Sequence, residues 1–139
     1  MSQIHVDIVS AEGEIYSGAA QMVIAPATEG DVGIAPRHAP LLTRMRPGEV
    51  RVRDERGEEN YFFVSGGLLE VQPHKVTVLA DTATRAHDLD EAAALEAKKR
   101  AEEALDQKHA DVDYTMVQTE LAESIAKLQM LERLKKIRR

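Results

Sequence analysis

The stretch of residues 80–90, ADTATRAHDLD, divides the chain into two parts of different composition. Before it, glycine and proline recur every few residues between short runs rich in Val, Ile, Tyr and Phe. After it, the chain contains neither glycine nor proline, and the helix formers Ala, Glu, Lys, Leu and Gln predominate. This change predicts two structural parts in one short chain, residues 1–87 and residues 88–139.

The composition argues against several classes of protein. A chain of 139 residues is long enough for one domain, or for a small domain with an appendage. Without cysteine it has neither a disulfide framework nor a thiolate metal site. No window resembles a membrane span or a signal peptide. A net charge of -6 and the lack of tryptophan argue against nucleic-acid binding. We therefore expect a soluble, intracellular chain that reaches a membrane only through a partner.

The first part shows the alternation of half-buried strands. Apolar residues occupy every second position in three places: Ile4, Val6 and Ile8; Met22 and Ile24; and Val50 and Val52. Turn-forming pairs such as Ser17-Gly18 and Gly66-Gly67 separate the runs. The richest apolar runs, which should form the centre of the core, are residues 61–64, 68–71 and 76–79. Short strands with frequent turns predict an antiparallel β-sandwich or barrel.

The second part has a helical period. Asp88 and Glu91 resemble a capping box, which predicts that a helix begins near Leu89. Its apolar stripe, which is mostly alanine, consists of Ala94, Ala97, Ala101, Ala104 and Leu105. Such a stripe lets a second helix approach closely but buries little area. The polar run of residues 106–113 should end this helix.

A second helix follows this polar run. Its apolar stripe consists of Tyr114, Val117, Leu121, Ile125, Leu128, Leu131 and Leu134. A short connection between two such helices predicts an antiparallel hairpin. The predicted fold class is therefore α+β, with an N-terminal antiparallel β-sandwich followed by a C-terminal antiparallel two-helix hairpin.

The common catalytic and phosphate-binding motifs do not occur in this sequence. The five histidines, at positions 5, 38, 74, 87 and 109, are scattered without metal-ligand spacing, so we expect no metal site. Ser65 beside Gly66-Gly67 resembles a nucleophile loop, but its place between two apolar runs favours a tight hairpin. A small enzyme that uses Ser65 or His38 is one of three functional hypotheses.

Five segments together carry a resemblance to a known family. They are GDVGIAPRHAPLLTRMRPG (30–48), VSGGLLEV (64–71), VTVLAD (76–81), DLDE (88–91) and DVDY (111–114). In this order, over the whole chain, they resemble the epsilon subunit of bacterial F-type ATP synthase. The resemblance implies a non-catalytic subunit of the rotating central stalk, with a flattened β-sandwich and two helices. In that family the subunit couples rotation to ATP synthesis, and its hairpin can extend along gamma to inhibit ATP hydrolysis.

The resemblance also implies partners and a location. Residues 1–87 would bind the gamma subunit and the c-ring, and residues 88–139 would reach the beta subunits in the extended state. The chain would lie peripherally on the cytoplasmic face of the bacterial plasma membrane. If the resemblance is set aside, a stand-alone adaptor with two protein-binding modules is the leading hypothesis.

The resemblance places the loop of residues 30–40, with Asp31 and His38, against the polar loops of the c-ring. On the residues alone, this loop is a surface turn braced by proline. The sequence departs from the family pattern at two positions, because Ala35 replaces a larger apolar residue and Arg37 stands where glycine is common. These departures predict a contact that is shifted or more strongly charged.

Some members of this family bind ATP on the folded hairpin through the motif I/L-D-x-x-R-A. The matching residues 89–94 read LDEAAA, so that Ala93 replaces the motif arginine. Asp90 and Arg100 are the only candidates left for such a site. Because a polyphosphate needs several converging cations, we expect neither ATP nor another cofactor to bind.

Five cations crowd into the last seven residues: Arg133, Lys135, Lys136, Arg138 and Arg139. A favourable interaction with the C-terminal end of the helix dipole would need only one or two of them. The resemblance implies a second use, in which these cations contact an acidic loop of the beta subunits in the extended, inhibitory state.

Overall fold

The computed structural model describes residues 3–107 and 114–137. Its strands, β1 to β9, are Ile4–Ser10, Gly13–Ala27, Gly30–Ile34, Leu41–Met45, Gly48–Asp54, Glu59–Val64, Gly67–Gln72, Lys75–Ala80 and Ala83–Arg85. A 3-10 turn at Ala86–Asp88 precedes two helices, α1 (Glu91–Gln107) and α2 (Tyr114–Ile137). The chain divides between His87 and Asp88 into two compact units. The predicted fold class is confirmed.

The strand unit is a sheet that closes around one core. Its strand order is β1-β8-β7-β4-β2-β5-β6-β9, with β3 paired to β2 and β1 also paired to β2. Among the described strands, β1 and β8 alone run parallel, whereas the prediction was antiparallel throughout. The parallel pair is possible because the long connection between β1 and β8 runs through the whole sheet and imposes no tight turn.

The predicted alternation is confirmed in two strands. In β1 the side chains of Ile4, Val6 and Ile8 are buried, and in β5 those of Val50 and Val52 are buried. These residues share one core with apolar side chains of the later strands, namely Phe62, Val64, Leu69, Val71, Val76 and Val78.

In β2 the predicted face is wrong. Val23 and Ala25 are fully buried, whereas Met22 and Ile24 are only partly buried and line the opposite side of the strand. Met22 and Ile24 lie there beside the arginine side chains of β5. The two apolar pairs are interleaved in sequence, so periodicity alone did not decide which pair faces the core.

A β-bulge explains the change of face along β2. Ala20 pairs with Asp54, but Met22 pairs with Arg53, so β2 contains one residue more than β5 between these positions. An extra residue shifts the two-residue period by one and turns the following side chains to the other face. Ala20 is consequently buried together with Val23, three positions later.

The turn predicted at Ser17-Gly18 is also wrong, because both residues lie inside β2. A Cβ atom at Gly18 would lie 3.3 Å from the hydroxyl oxygen of Tyr16. The Tyr16 ring packs edge-on against Phe62, with 5.3 Å between the ring centroids. Gly18 therefore makes room for an aromatic side chain rather than for a reversal of the chain.

Helix α1 begins two residues later than predicted. The backbone N–H of Ala93 donates to Asp90 Oδ1 at 3.1 Å, which makes Asp90 the N-cap residue. Asp88 instead belongs to the preceding 3-10 turn. The helix ends at Gln107, inside the polar run predicted to break it, and the rest of that run lies outside the described residues.

The two helices pack against each other, and the buried positions are small or few. Ala94 and Ala101 are buried in α1, while Ala97 and Ala104 are half-buried. The α2 stripe is only partly confirmed: Leu134 is buried, whereas Val117, Leu121, Ile125, Leu128 and Leu131 are half-buried. Ser124 and Met130, which the prediction omitted, are also buried. The Ser124 hydroxyl donates to the Glu120 carbonyl oxygen at 2.9 Å, which permits its burial.

Neither helix, over its described residues, combines the length and hydropathy of a membrane span.

A polar cluster surrounds Asp7 on the outer face of β1. The Ser17 hydroxyl donates to Asp7 Oδ1 at 2.7 Å, His5 Nε2 lies 2.9 Å from the same oxygen, and Lys75 Nζ lies 3.4 Å from Oδ2. The hydrogen bond from Ser17 lowers the pKa of Asp7, with help from His5 and Lys75 and against the desolvation of the carboxylate. The folded state therefore favours the ionised form.

This lowered pKa predicts an acid-sensitive contribution to stability. Ionised Asp7 stabilises the fold above its unfolded-state pKa of about 4, and the contribution is lost as the pH falls through the lower folded-state pKa. We expect Asp7→Asn to reduce the free energy of unfolding near neutral pH by about 1 kcal/mol. The free energy of unfolding of the Asp7→Asn variant should also fall less than that of the unmodified protein as the pH is lowered. Denaturant unfolding at several pH values measures both effects, with Glu12→Gln as an exposed control. An unchanged pH dependence in Asp7→Asn would contradict this role.

Candidate functional site

Three leucine side chains point outward from neighbouring strands of the sheet. Leu42 in β4 is 68% exposed, Leu68 in β7 is 41% exposed and Leu79 in β8 is 43% exposed. Leu68 pairs with Leu79 on one side and with Arg44 on the other, and Leu42 shares the face of Arg44. We call Leu42, Leu68 and Leu79 the leucine patch. Adjacent exposed apolar side chains are typical of a protein-binding surface.

The prediction had counted Leu68 and Leu79 among the core residues, which is wrong. Leu69 and Val78 are their sequence neighbours, and these two are fully buried. Because consecutive strand residues point to opposite faces, only one of each pair can reach the core. The alternation therefore indicated that one residue of each pair is exposed, but the sequence did not show which residue of the pair faces the solvent.

Asp31 is held in place by an arginine that the sequence analysis did not identify. The Arg46 Nη2 donates to Asp31 Oδ1 at 2.7 Å, and the Arg46 Nη1 donates to the Ala27 carbonyl oxygen at 2.6 Å. The Asp31 side chain is 57% exposed. It borders an open cavity of about 240 Å³, lined by Ala27, Glu29, Gly30, Asp31, Val32, Leu41 and Thr43. A carboxylate fixed beside such a cavity can accept hydrogen bonds from a partner's loop.

His38 lies at the other end of the β3–β4 connection. Its Nδ1 lies 2.7 Å from the Ala39 carbonyl oxygen, which can only accept, so Nδ1 carries a proton and, in the neutral ring, Nε2 is the acceptor. The backbone N–H of His38 donates to the Ala35 carbonyl oxygen at 3.1 Å, which closes a turn. Asp31 and His38 thus belong to one surface segment, but each is held by different neighbours.

The Ser65 hydroxyl serves the fold rather than catalysis. It accepts from the Thr82 backbone N–H at 2.9 Å and from the Thr82 hydroxyl at 2.7 Å. These bonds tie the β6–β7 connection to the segment before β9 and leave Ser65 buried. The tight hairpin predicted here is wrong, because β6 pairs with β5 and β9 whereas β7 pairs with β4 and β8. Within the described part of the chain, no histidine is hydrogen-bonded to Ser65 as a nucleophile would require.

Ser17, His5 and Asp7 bring together the residue types of a catalytic triad, but in the wrong order. The Ser17 hydroxyl donates directly to the Asp7 carboxylate. In a working triad, histidine lies between the serine and the carboxylate and takes the serine proton. In residues 3–107 and 114–137, no group of three His, Cys, Asp or Glu side chains has the arrangement of a metal site.

The two residues predicted as candidates for a phosphate site, Asp90 and Arg100, lie apart in the described part of the chain. Asp90 caps the helix by accepting from the Ala93 N–H, and Arg100 lies about 15 Å away along the helix axis, at about 1.5 Å per residue. The open depression beside Asp90 is lined by Asp88, Leu89, Asp90, Glu91, Ala92 and Leu95. Three of these side chains are carboxylates, which repel a polyphosphate. The structure therefore does not bring Asp90 and Arg100 together.

The C-terminal cations differ in their surroundings. The Lys135 Nζ contacts Glu91 Oε2 at 2.8 Å and joins the end of α2 to the start of α1. Both side chains are more than half exposed, so this ion pair contributes at most about 1 kcal/mol. Lys136 is exposed and Arg133 is half-buried. Arg138 and Arg139 lie outside the described residues.

Two family models match the chain in succession. The β-sandwich domain of the ATP synthase delta/epsilon chain matches residues 3–86, and the long alpha-helix domain of the same chain matches residues 87–132. The chain belongs to the ATP synthase delta/epsilon chain family. The predicted resemblance to the epsilon subunit is thereby confirmed.

Two relatives that match over nearly their whole length are ATP synthase epsilon chains. The ATP synthase epsilon chain of Alkalilimnicola ehrlichii is 71% identical over 136 residues, which is 98% of this chain and 97% of that one. The ATP synthase epsilon chain of Halorhodospira halophila is 69% identical over 137 residues, with 98% and 97% covered. As a member of this family the chain is a subunit of an ATP synthase and not a catalytic one.

Two solved structures share the fold at low sequence identity. A chain of the Euglena gracilis mitochondrial ATP synthase has a TM-score of 0.74 at 20% identity and covers 94% of this chain and 81% of its own length. A chain of the Tetrahymena thermophila mitochondrial ATP synthase has a TM-score of 0.63 at 12% identity, with 92% and 96% covered. The roles predicted for individual residues of this epsilon-family chain stay predictions.

Proposed function

We propose that this epsilon-family chain works in the central stalk of a proton-translocating F-type ATP synthase, where it couples rotation of gamma and the c-ring to ATP synthesis. The observation that carries this proposal is the match of both family domains, in order, to residues 3–86 and 87–132. The epsilon chain of A. ehrlichii, 71% identical over nearly the whole length, supports it. The complex lies in the bacterial plasma membrane, and the chain is a peripheral subunit on the cytoplasmic face.

The gamma subunit binds the leucine patch. Leu42, Leu68 and Leu79 are exposed on adjacent strands, and covering the part of each leucine that is still exposed is worth about 1 kcal/mol, since a fully exposed leucine would gain about 1.5–3 kcal/mol. The strands beneath the patch are held by the β4–β7 and β7–β8 ladders, so the surface is preformed. A preformed apolar surface loses little entropy on binding, which suits a permanent contact in a rotating shaft.

We expect the double substitution Leu68→Ser and Leu79→Ser to weaken binding of the full-length chain to purified gamma by more than about tenfold, because two apolar contacts are lost. Circular dichroism should show an unchanged fold, since both side chains point away from the core. Leu95→Ser is the matched control, because Leu95 is 45% exposed but lies on α1. Equal binding by the double variant and the control would reject this surface as the gamma contact.

The c-ring contacts residues 30–45, which comprise β3, β4 and the turn between them and which we call the β3–β4 segment. Asp31 and His38 lie on it, and Arg46 orients the Asp31 carboxylate beside the cavity that Leu41 and Thr43 also line. A polar loop of the ring can enter this cavity and donate to Asp31, while His38 Nε2 offers a second acceptor. This contact and the leucine patch use different parts of the same sheet, so one strand unit can hold both partners.

The hairpin inhibits ATP hydrolysis when it extends toward the beta subunits. In the folded hairpin Glu91 neutralises Lys135, one of the cations assigned to the beta contact. Extension breaks this ion pair and frees the cation for an acidic loop of beta. The alanine positions of α1 and the exposed ion pair hold the folded form only weakly, so the two states can interconvert.

Two substitutions at the Glu91–Lys135 ion pair distinguish its role in holding the folded hairpin from the role of Lys135 in the contact with beta. Glu91→Gln breaks the pair but keeps the lysine, so we expect stronger inhibition and lower ATP hydrolysis by the assembled enzyme, at most about fivefold for an exposed pair. Lys135→Gln breaks the same pair and removes the cation, so it should not strengthen inhibition. Reversal of Arg133, Lys135 and Lys136 to Glu should raise hydrolysis. Lys98→Gln, which breaks the exposed pair with Glu102 inside α1, is the control.

Hydrolysis that responds neither to the triple charge reversal nor to deletion of residues 88–139 would contradict an inhibitory hairpin. Assembly of the deletion variant with gamma should be retained, because the leucine patch lies in the strand unit. This measurement keeps a loss of assembly apart from a loss of inhibition.

The hairpin does not bind ATP. Ala93 replaces the motif arginine, Arg100 lies about 15 Å from Asp90 along the helix axis, and the depression beside Asp90 is lined by three carboxylates and no cation. Calorimetric titration of the full-length chain with millimolar ATP should give no saturable heat. Ala93→Arg is the informative variant, since it restores the motif cation and should recover part of the binding. Saturable binding by the unmodified chain would show that other cations hold the phosphates.

A further inference from the structure

A strained residue lies in the turn between β3 and β4. Residues 35–38 form a four-residue turn, in which the His38 N–H donates to the Ala35 carbonyl oxygen at 3.1 Å. Arg37, the third residue, has a φ of 69°. It is the one non-glycine residue with positive φ in the described parts of the chain. Turns of this kind favour glycine at the third position, because a Cβ atom disfavours the left-handed conformation.

The fold would accept glycine at this position. The only hydrogen bond of Arg37 within residues 3–107 and 114–137 is made by its backbone N–H, which donates to the Pro73 carbonyl oxygen at 2.7 Å. Glycine would keep this bond and would remove the strain. The guanidinium is exposed and makes no hydrogen bond or ion pair in the described structure, so nothing there offsets the cost. Strain that the fold does not require points to a function.

The sequence that begins at Arg37 favours an anionic ligand. Residues 37–46 contain Arg37, His38, Arg44 and Arg46 but no acidic residue, although the net charge of the whole chain is -6. Arg46 is already engaged by Asp31 and by the Ala27 carbonyl oxygen. Arg37 therefore offers an unengaged cation on a turn fixed by two backbone hydrogen bonds.

We propose that Arg37 is a specificity-determining residue that binds a carboxylate of the partner subunit seated against the β3–β4 segment. This inference rests on the proposed contact with the c-ring and adds to it the residue and the chemistry of recognition. A guanidinium on a rigid turn can bind a carboxylate through two parallel hydrogen bonds. An anionic lipid surface instead attracts clusters of several mobile cations, which a single arginine on a turn does not provide.

Four variants of the full-length chain test this inference against a lipid-free, detergent-solubilised complex of gamma and the c-ring. Arg37→Gly should unfold at the same or a higher temperature than the unmodified protein, because the strain is relieved, yet bind about fivefold more weakly. Arg37→Ala should bind as weakly without a gain in stability, and Arg37→Lys should keep part of the affinity. Arg56→Ala is the control, which removes an exposed arginine with ordinary φ from the turn between β5 and β6, away from both proposed contacts.

A cross-link identifies the ligand. In the Arg37→Lys variant, a carbodiimide should couple the introduced amine to the partner carboxylate as an amide, and mass spectrometry should find the linked peptide in the c subunit. Equal binding by Arg37→Gly and the unmodified protein would overturn the inference. So would an effect of Arg37→Gly that arises only in nanodiscs of anionic lipid, since that would indicate a headgroup. If the unmodified chain itself failed to bind the complex, the proposed function would fail instead.

Discussion

The fifteen-residue strand β2 is the element on which the strand unit depends. Its first half pairs with β1, and its second half pairs with β3, β4 and β5. One strand can serve two sets of neighbours because the bulge after Ala20 changes the face that its side chains present. The ladders hold Ala20 and Val23 in the same core. β2 also pairs with β4, β4 pairs with β7, and β7 pairs with β8. These ladders fix the outward surfaces of β4, β7 and β8, including the leucine patch.

Composition and periodicity predicted the two-part organisation because each part has a period that the other lacks. Alternation identified the core face of β1 and β5, whose own patterns are unbroken because the extra residue at each register shift with β2 lies on β2. It failed in β2 because a bulge is set by the register of the neighbouring strand, which sequence periodicity does not contain. The N-cap was misplaced by two residues because Asp88 and Asp90 are chemically equal, and the 3-10 turn that takes up Asp88 is a feature of the fold.

The candidate site was predictable only where the relevant residues are close in sequence. The resemblance pointed to Asp31 and His38, but the arginine that orients Asp31 lies fifteen positions away in the same segment of residues 30–48, and nothing in the sequence pairs the two side chains. The departure from the ATP-binding motif could be recognised from the sequence, because Ala93 occupies the position of the motif arginine. The pairing of Glu91 with Lys135 joins the two ends of the hairpin, which no local pattern reveals. The sequence therefore reveals a substitution within a motif, whereas pairs of side chains that are distant in sequence become apparent only in the folded structure.

The hairpin and the sandwich differ in how firmly their packing holds them. The sandwich buries Phe62, Ile8 and Leu69 completely, and each such side chain contributes about 1.5–3 kcal/mol. The hairpin buries mainly alanine in α1, and the ion pair between its ends is exposed. An energy difference of about 1.4 kcal/mol changes a two-state ratio tenfold. In the proposed inhibitory role, a few charged contacts with a partner would therefore be enough to shift the hairpin, whereas the same contacts would leave the packing of the sandwich unchanged.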